Sequence, residues 1–340
     1  MSYGLETVYN HHLTEGVCND RLVIAMKDNF GRDIYYLRLS VTDKCNLRCI
    51  YCMPEEGIKK LRHEDVMSVE EISEIVRAFA ACGISKVRIT GGEPLVRRGI
   101  IEICKRVVNT EGIKEVCLTT NGLLVPRFAK ELKDAGVNRL NFSLDSLDRV
   151  TYNDITRFDA LDGALAGIYA ALDTGFDAIK INAVLIGGLN DNEIRDLLEL
   201  TRKHNVNVRF IELMPVGECS GWAKGRFICT QCVLQVAPEL REVGTDGVTK
   251  VYKLPGGFGT IGLISPISSH FCPSCNRIRV TSDGTLKLCL HSAEEINLRG
   301  LHGSELEDVI RNAIYKKPGK HMLDAGAHSA AARNMNEIGG

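Results

Sequence analysis

From residue 35 onward, short apolar runs alternate with segments whose apolar residues recur every three or four positions. YYLRLSV (35–41), KVRIT (86–90), EVCLTT (115–120), RLNFSL (139–144), IKINAVLI (179–186) and VNVRFIE (206–212) read as strands. After the first strand, SVEEISEIVRAFAACG places Ile72, Ile75, Val76 and Phe79 on one helical face. It opens with Ser68 ahead of Glu71 as a capping box and stops at Gly83. Further helices are predicted near 97–109, 126–135, 161–174 and 191–203. Six strands alternating with helices imply parallel pairing through right-handed crossovers. Six units are too few for a closed eight-unit barrel, so the expected fold is α/β, an incomplete (β/α)6 TIM-like barrel.

Beyond about residue 245 the repeat dissolves. VTKVYKLPGGFGTIGLIS (248–265) reads as two short strands joined by a Gly-rich turn, followed by a cysteine-rich stretch and one helix at 304–315. This C-terminal extension cannot easily form its own core and is expected to close the open side of the barrel. The expected organisation is an N-terminal extension (1–32), the barrel (33–245) and a C-terminal region (246–340). The tail SAAARNMNEIGG is small and polar, a composition typical of disordered ends.

A chain of 340 residues can bury one large core with an extension. Its formal net charge of −1 and the lack of a basic tail argue against nucleic acid. No export signal and no apolar run of membrane-spanning length is found. Thirteen cysteines in a chain this long do not make a small disulfide scaffold. A cytoplasmic, oxygen-sensitive protein is expected.

The polar residues cluster where barrel chemistry sits, at the carboxyl ends of strands. These ends carry Thr90-Gly91-Gly92-Glu93-Pro94, Thr119-Thr120-Asn121-Gly122, Ser143-Leu144-Asp145 and Glu212-Leu213-Met214-Pro215. Any one could be an ordinary turn; with the loop after the first strand, five at one mouth favour function. Arg38, Arg88, Lys180 and Arg209 lie on predicted strands, where charge is unexpected in a buried parallel sheet. One such residue would normally pair with a buried carboxylate such as Asp145 or Glu212. Four of them argue for an anionic ligand.

Cys45, Cys49 and Cys52, in DKCNLRCIYCMP, bring three thiols into one small volume. Structural zinc uses four ligands in paired spacings, and neither His nor a fourth Cys is close in sequence. A four-iron cluster on three thiolates keeps one iron open. Cys272, Cys275 and Cys289 form a second triad, which alone could equally be part of a zinc ribbon. Arg277 and Arg279 alternate in RIRV and would share one face of a strand beside it, suited to a polyphosphate. Cys229 and Cys232 form a CxxC within what reads as the start of an amphipathic helix. They are taken, with Cys18, Cys82, Cys104, Cys117 and Cys219, as core or surface residues.

The CxxxCxxC spacing with Tyr51 resembles the signature of the radical S-adenosylmethionine (SAM) superfamily. Both triads, with RITGGEPL, LTTNG and the terminal Gly339-Gly340, resemble the GTP 3′,8-cyclase family of molybdenum-cofactor biosynthesis, from Asp33 to the end of the chain. The resemblance implies two [4Fe-4S] clusters, one on Cys45, Cys49 and Cys52 and an auxiliary one in the extension on Cys272, Cys275 and Cys289. SAM would sit on the open iron of the first, against Tyr51, Gly91, Gly92, Ser143 and Met214. GTP would meet Arg38, Arg88, Thr119, Lys180 and the segment Arg277, Ile278 and Arg279, with guanine at the second cluster. Arg209 joins this group by its place on a strand. Gly339 and Gly340 would reach back into the active site, against the disorder that composition suggests.

The implied reaction cleaves SAM to a 5′-deoxyadenosyl radical that takes the 3′ hydrogen of GTP, after which C3′ bonds to C8. Cys45, Cys49, Cys52, Arg277, Arg279, Gly339 and Gly340 are the expected catalytic set. Implied partners are a reduced flavodoxin- or ferredoxin-type electron donor and a downstream cyclic pyranopterin monophosphate synthase, with a homodimer as one assembly. Two other readings stand beside this one: a radical SAM peptide maturase with an auxiliary cluster, and a non-catalytic iron-sulfur electron carrier.

Overall fold

The computed structural model describes residues 26–58, 61–321, 323 and 329–339. Cys18, Gly340 and most of the N-terminal extension lie outside the described residues. Its described end forms a short antiparallel ladder of β1 (Met26–Lys27) and β2 (Asp33–Ile34). Between them, buried Arg32 pairs with Asp28 at 2.6 Å and donates to the carbonyls of Cys272 and Pro318, both at 2.8 Å. This end of the N-terminal extension is therefore docked on the C-terminal region.

The six expected barrel strands are present: β3 (Tyr36–Ser40), β4 (Lys86–Thr90), β5 (Glu115–Thr120), β6 (Arg139–Ser143), β7 (Ala178–Leu185) and β8 (Asn207–Glu212). They pair in parallel and in chain order. The helices between them are α1 (Val69–Ala81), α2 (Ile100–Val108), α3 (Val125–Asp134), α4 (Arg149–Thr156), α5 (Leu161–Thr174) and α6 (Ile194–Lys203). The predicted capping box of Ser68 and Glu71 starts α1. Helix α4 is absent from the expectation because RVTYNDIT is polar, short and carries few apolar residues. It is started by Asp148, whose side chain accepts the Thr151 N–H.

The extension forms no separate layer. After the single-turn α7 (Cys232–Val236) come β9 (Arg241–Asp246), β10 (Thr249–Lys253) and β11 (Thr260–Ile264), then β12 (Arg277–Val280), β13 (Thr285–Lys287), β14 (Ile296–Asn297) and α8 (Gly303–Tyr315). β11 joins β8 in parallel and β12 joins β3 in parallel. The extension thus adds strands to both edges of the barrel sheet, giving one twelve-stranded sheet. The expected division at 245/246 falls inside β9.

Side-chain alternation along the strands explains their mixed sequences. Leu37, Leu39, Val87, Ile89, Leu118, Leu140, Phe142, Ile181, Val208 and Phe210 are buried in the core shared with the helices. The opposite face carries Arg38, Arg88, Thr119, Asn141, Lys180 and Arg209. A filled barrel would place branched apolar residues there. Here the inner face is polar, which marks the interior as a ligand site.

Candidate active site

The first cysteine loop follows β3 and is held by a helix that the sequence does not announce. The last carbonyls of α4, at Ile155 and Thr156, accept the N–H groups of Ile50 and Arg48 at 2.9 and 3.1 Å. These are end carbonyls with no partner within the helix. Arg157, at φ 61°, donates to the carbonyls of Arg48 and Met53. Cys45, Cys49 and Cys52 are free, half-buried and line one cavity. Burial pushes the Cys45 thiol up to about 11, and Cys49 and Cys52 higher still, with the neighbouring sulfurs adding to the last two. Three thiols on one wall of a cavity suit a bound cationic metal centre, which makes ligating thiols ionise outright.

The second triad borders the same cavity from the other side: Cys272, Cys275 and Cys289 all line it. Cys275 lies just before β12, which runs parallel to β3 and pairs Arg277 with Tyr36, at the start of β3. Cys45 follows the end of β3. The two triads therefore flank opposite ends of β3, whose five residues span about 16 Å at 3.3 Å per residue. His270, Cys272 and His321 bring ligand atoms within 4.8 Å of one another. The His321 and His291 rings lie 4.8 Å apart, and burial drives His291 down to about 3. These imidazoles were missed, although His270 and His291 each sit two residues from a cysteine of the triad.

Between the triads lies a cationic wall. Arg38, Arg88, Arg209, Arg277 and Arg279 all line the cavity, and the register places Arg279, Arg38 and Arg88 side by side on β12, β3 and β4. Arg88 and Arg277 stack near the Tyr36 ring, at 5.5 and 5.9 Å. Burial first, then Arg279 and Arg88, lowers Arg38, while burial brings Arg209 and Arg279 to about 10. Arg88 Nε, Arg277 Nε, Thr119 Oγ1 and both amide atoms of Asn141 are buried without a hydrogen-bond partner. Buried polar atoms normally have partners, so this constellation is built for an anionic, hydrogen-bonding ligand. Asn141, fully buried on the same strand face as Ser143, lies behind the cavity lining.

Two of the expected cations already hold a carboxylate. Lys180 Nζ and Arg209 Nη2 contact Asp246 at 2.7 and 2.5 Å. The carboxylates named from sequence have other partners. Asp145 accepts from Tyr51 Oη and the Val184 N–H, whereas Glu212 accepts from Ser268 and Ile267. Lys180 does not line the cavity among the described residues, and Ile278 points into the core.

Tyr51, Gly91, Gly92, Ser143 and Met214 gather on the first-triad side of the cavity. The two glycines are also required by the fold itself. A Cβ at Gly92 would lie 2.4 Å from the Lys44 carbonyl oxygen, and one at Gly91 2.5 Å from that of Thr42. They let the cysteine loop pack on β4, and Gly92 donates its N–H to Thr42. Cys219, expected to be a bystander, lines the cavity beside Met214 and raises Cys52. Cys229 and Cys232 are free, half-buried and away from the cavity lining.

The tail is ordered over its described residues. Asn336 donates to the Asp43 carbonyl, and Arg279 donates to the carbonyls of Ile338 and Gly339, the latter at 2.5 Å. Gly339 has φ +74°, and a Cβ there would lie 2.6 Å from Thr90 Cγ2. The composition-based expectation of disorder thus fails for 329–339, because the barrel supplies partners for the tail's backbone.

Residues 39–201 match the family model of the radical SAM superfamily, and residues 206–323 match that of Molybdenum Cofactor Synthesis C. A GTP 3′,8-cyclase of Alkaliphilus metalliredigens is 52% identical, covering 93% of this chain and 100% of its own length. One from Geobacter sulfurreducens is 46% identical, over 92% of this chain and 99% of its own. Among solved structures, Streptococcus suis SuiB bound to precursor peptide SuiA is similar with a TM-score of 0.56 at 13% identity, covering 96% of this chain and 83% of SuiB. At that identity the likeness speaks for the fold alone. Among the described residues, no helix is long and apolar enough to cross a membrane.

Proposed function

Because this chain belongs to the GTP 3′,8-cyclase family of the radical SAM superfamily, we propose that it converts GTP to (8S)-3′,8-cyclo-7,8-dihydro-GTP in the first step of molybdenum-cofactor biosynthesis. The observation that carries the reading is the pair of thiol triads at opposite ends of one cavity, with buried arginines between them. When bound, a [4Fe-4S] cluster on Cys45, Cys49 and Cys52 supplies the electron that cleaves SAM to the 5′-deoxyadenosyl radical. The second cluster belongs on Cys272, Cys275 and Cys289.

The chain's own residues then position and shield. Tyr51, oriented by Asp145, and Gly92, Ser143 and Met214 border SAM. Arg38, Arg88, Thr119, Lys180, Arg209 and the segment 277–279 hold GTP, and the unpartnered polar atoms find acceptors and donors on it. Arg279 anchors the tail through the Ile338 and Gly339 carbonyls, and the tail excludes water from the reacting sugar. Such positioning and electrostatics are the protein's share of cofactor chemistry. The barrel strands β3 to β8 carry the first triad's loop, and the strands that the extension adds beside β3 carry the auxiliary-cluster cysteines. A reduced flavodoxin or ferredoxin serves as electron donor in the cytoplasm, a cyclic pyranopterin monophosphate synthase takes the product, and the chain can act as a homodimer.

Anaerobic incubation of the reconstituted protein with SAM, dithionite and GTP tests the reading. The expected products are 5′-deoxyadenosine, methionine and a cyclised nucleotide isomeric with GTP. SAM cleavage with GTP untouched would refute it.

A further inference from the structure

Lys180 and Arg209 sit on the neighbouring strands β7 and β8, and of the cations expected to meet substrate they are the pair already neutralised by the chain itself, through Asp246 at 2.7 and 2.5 Å. We propose that Asp246 is a built-in competitor for the phosphates of GTP: it occupies the Lys180–Arg209 pair in the ligand-free protein and is displaced when the nucleotide binds. The proposal rests on the assignment of Lys180 and Arg209 to GTP.

Three features support it. Lys180 is absent from the cavity lining, whereas Arg38, Arg88, Arg209, Arg277 and Arg279 are on it. A substrate contact to Lys180 therefore needs the ion pair to open. Second, Asp246 is able to leave. Its side chain is 49% exposed, against 7% for Lys180. It ends β9, an edge strand exposed along its whole length, and is followed by Gly247 at φ +61°. Moving it uncovers no core.

Third, β9 pairs antiparallel with β10, which is one strand away from β8 across β11. β10 packs so closely that a Cβ at Gly262 would meet Thr249 Cγ2 at 2.6 Å and Arg209 Cγ at 2.9 Å. Burial and Arg209 together lower Lys180 to about 8, so two neighbouring cations need an anion whether or not GTP is present. One half-exposed carboxylate offers these two cations less charge and fewer acceptors than a triphosphate, which can therefore replace it.

The test is calorimetric titration of the anaerobic, cluster-reconstituted protein without SAM, using GTP, inorganic triphosphate and guanosine. Asp246→Asn is expected to bind GTP and triphosphate about two- to tenfold more tightly, the scale of a half-exposed ion pair. Guanosine affinity should stay unchanged, which also reports that the variant is folded. On a Lys180→Ala background the gain should disappear. Equal or weaker GTP binding by Asp246→Asn, with guanosine unaffected, would overturn the proposal and make Asp246 a support for the cations. Wild-type GTP affinity in both Lys180→Ala and Arg209→Ala would remove the assignment beneath it, and the proposal with it.

Discussion

Gly339→Ala isolates the role of the tail with one methyl group. At φ +74° an L-residue other than glycine costs about 1–2 kcal/mol. The added Cβ would also sit 2.6 Å from Thr90 Cγ2, and overpacking of this kind costs about 1–3 kcal/mol. The sum, about 2–5 kcal/mol, rivals the two charge-assisted bonds from Arg279 that hold the tail, at about 1.5–3 kcal/mol each. The docked tail should lose its dominance. GTP turnover is expected to fall about tenfold or more, while uncoupled SAM cleavage, iron content and melting temperature stay near those of the parent. Thr90→Ser removes the clashing methyl but keeps the hydroxyl, so Gly339→Ala/Thr90→Ser should recover the steric part of the loss. Product formation followed by liquid chromatography under anaerobic single-turnover conditions reads both variants. Full activity in Gly339→Ala would refute the argument, returning the tail to a role outside turnover.

Other outcomes follow from the same geometry. Cys45→Ala or Cys49→Ala should abolish SAM cleavage while iron bound at the second triad persists, and Cys275→Ala should cleave SAM yet fail to cyclise GTP; iron analysis and 5′-deoxyadenosine yield check both. Arg277→Ala removes a cation whose Nε is buried without a partner, so GTP should bind about tenfold more weakly with SAM binding unaltered in equilibrium titrations. Burial raises Glu93 to about 7 from an ordinary 4.5, over the opposing bonds it accepts from Asn121, Leu95 and Thr120. A folded-state value above the unfolded one means that its contribution to stability is greatest below about pH 4.5 and is lost as pH rises through 7; denaturant midpoints of the cluster-free chain should show this slope, and Glu93→Gln should flatten it.

Much of this molecule was legible in one dimension because its signals are local. The six barrel strands and α1 follow from apolar periodicity and from the Ser68–Glu71 cap, both set by neighbouring residues. Two triads of cysteines, with RIR and the double glycine, pointed to the chemistry before any fold was known. Helix α4 escaped because its stability comes from Tyr152 and Ile155 packing inward, and from the cysteine loop that its last carbonyls hold. Strand β9 escaped for a similar reason, since its six exposed residues carry no burial pattern.

What the tertiary structure alone decided is who faces whom. That β12 pairs with β3 sets the two triads at opposite ends of one cavity, although more than two hundred residues separate them in the chain. It also decided that Asp246, outside every motif, pairs with Lys180 and Arg209, and that Gly91 and Gly92 make room for backbone. Residue type and spacing determine which groups a chain can offer. Partners distant in sequence are chosen by strand pairing and by the charge and space that each folded neighbour leaves, and no local pattern encodes those.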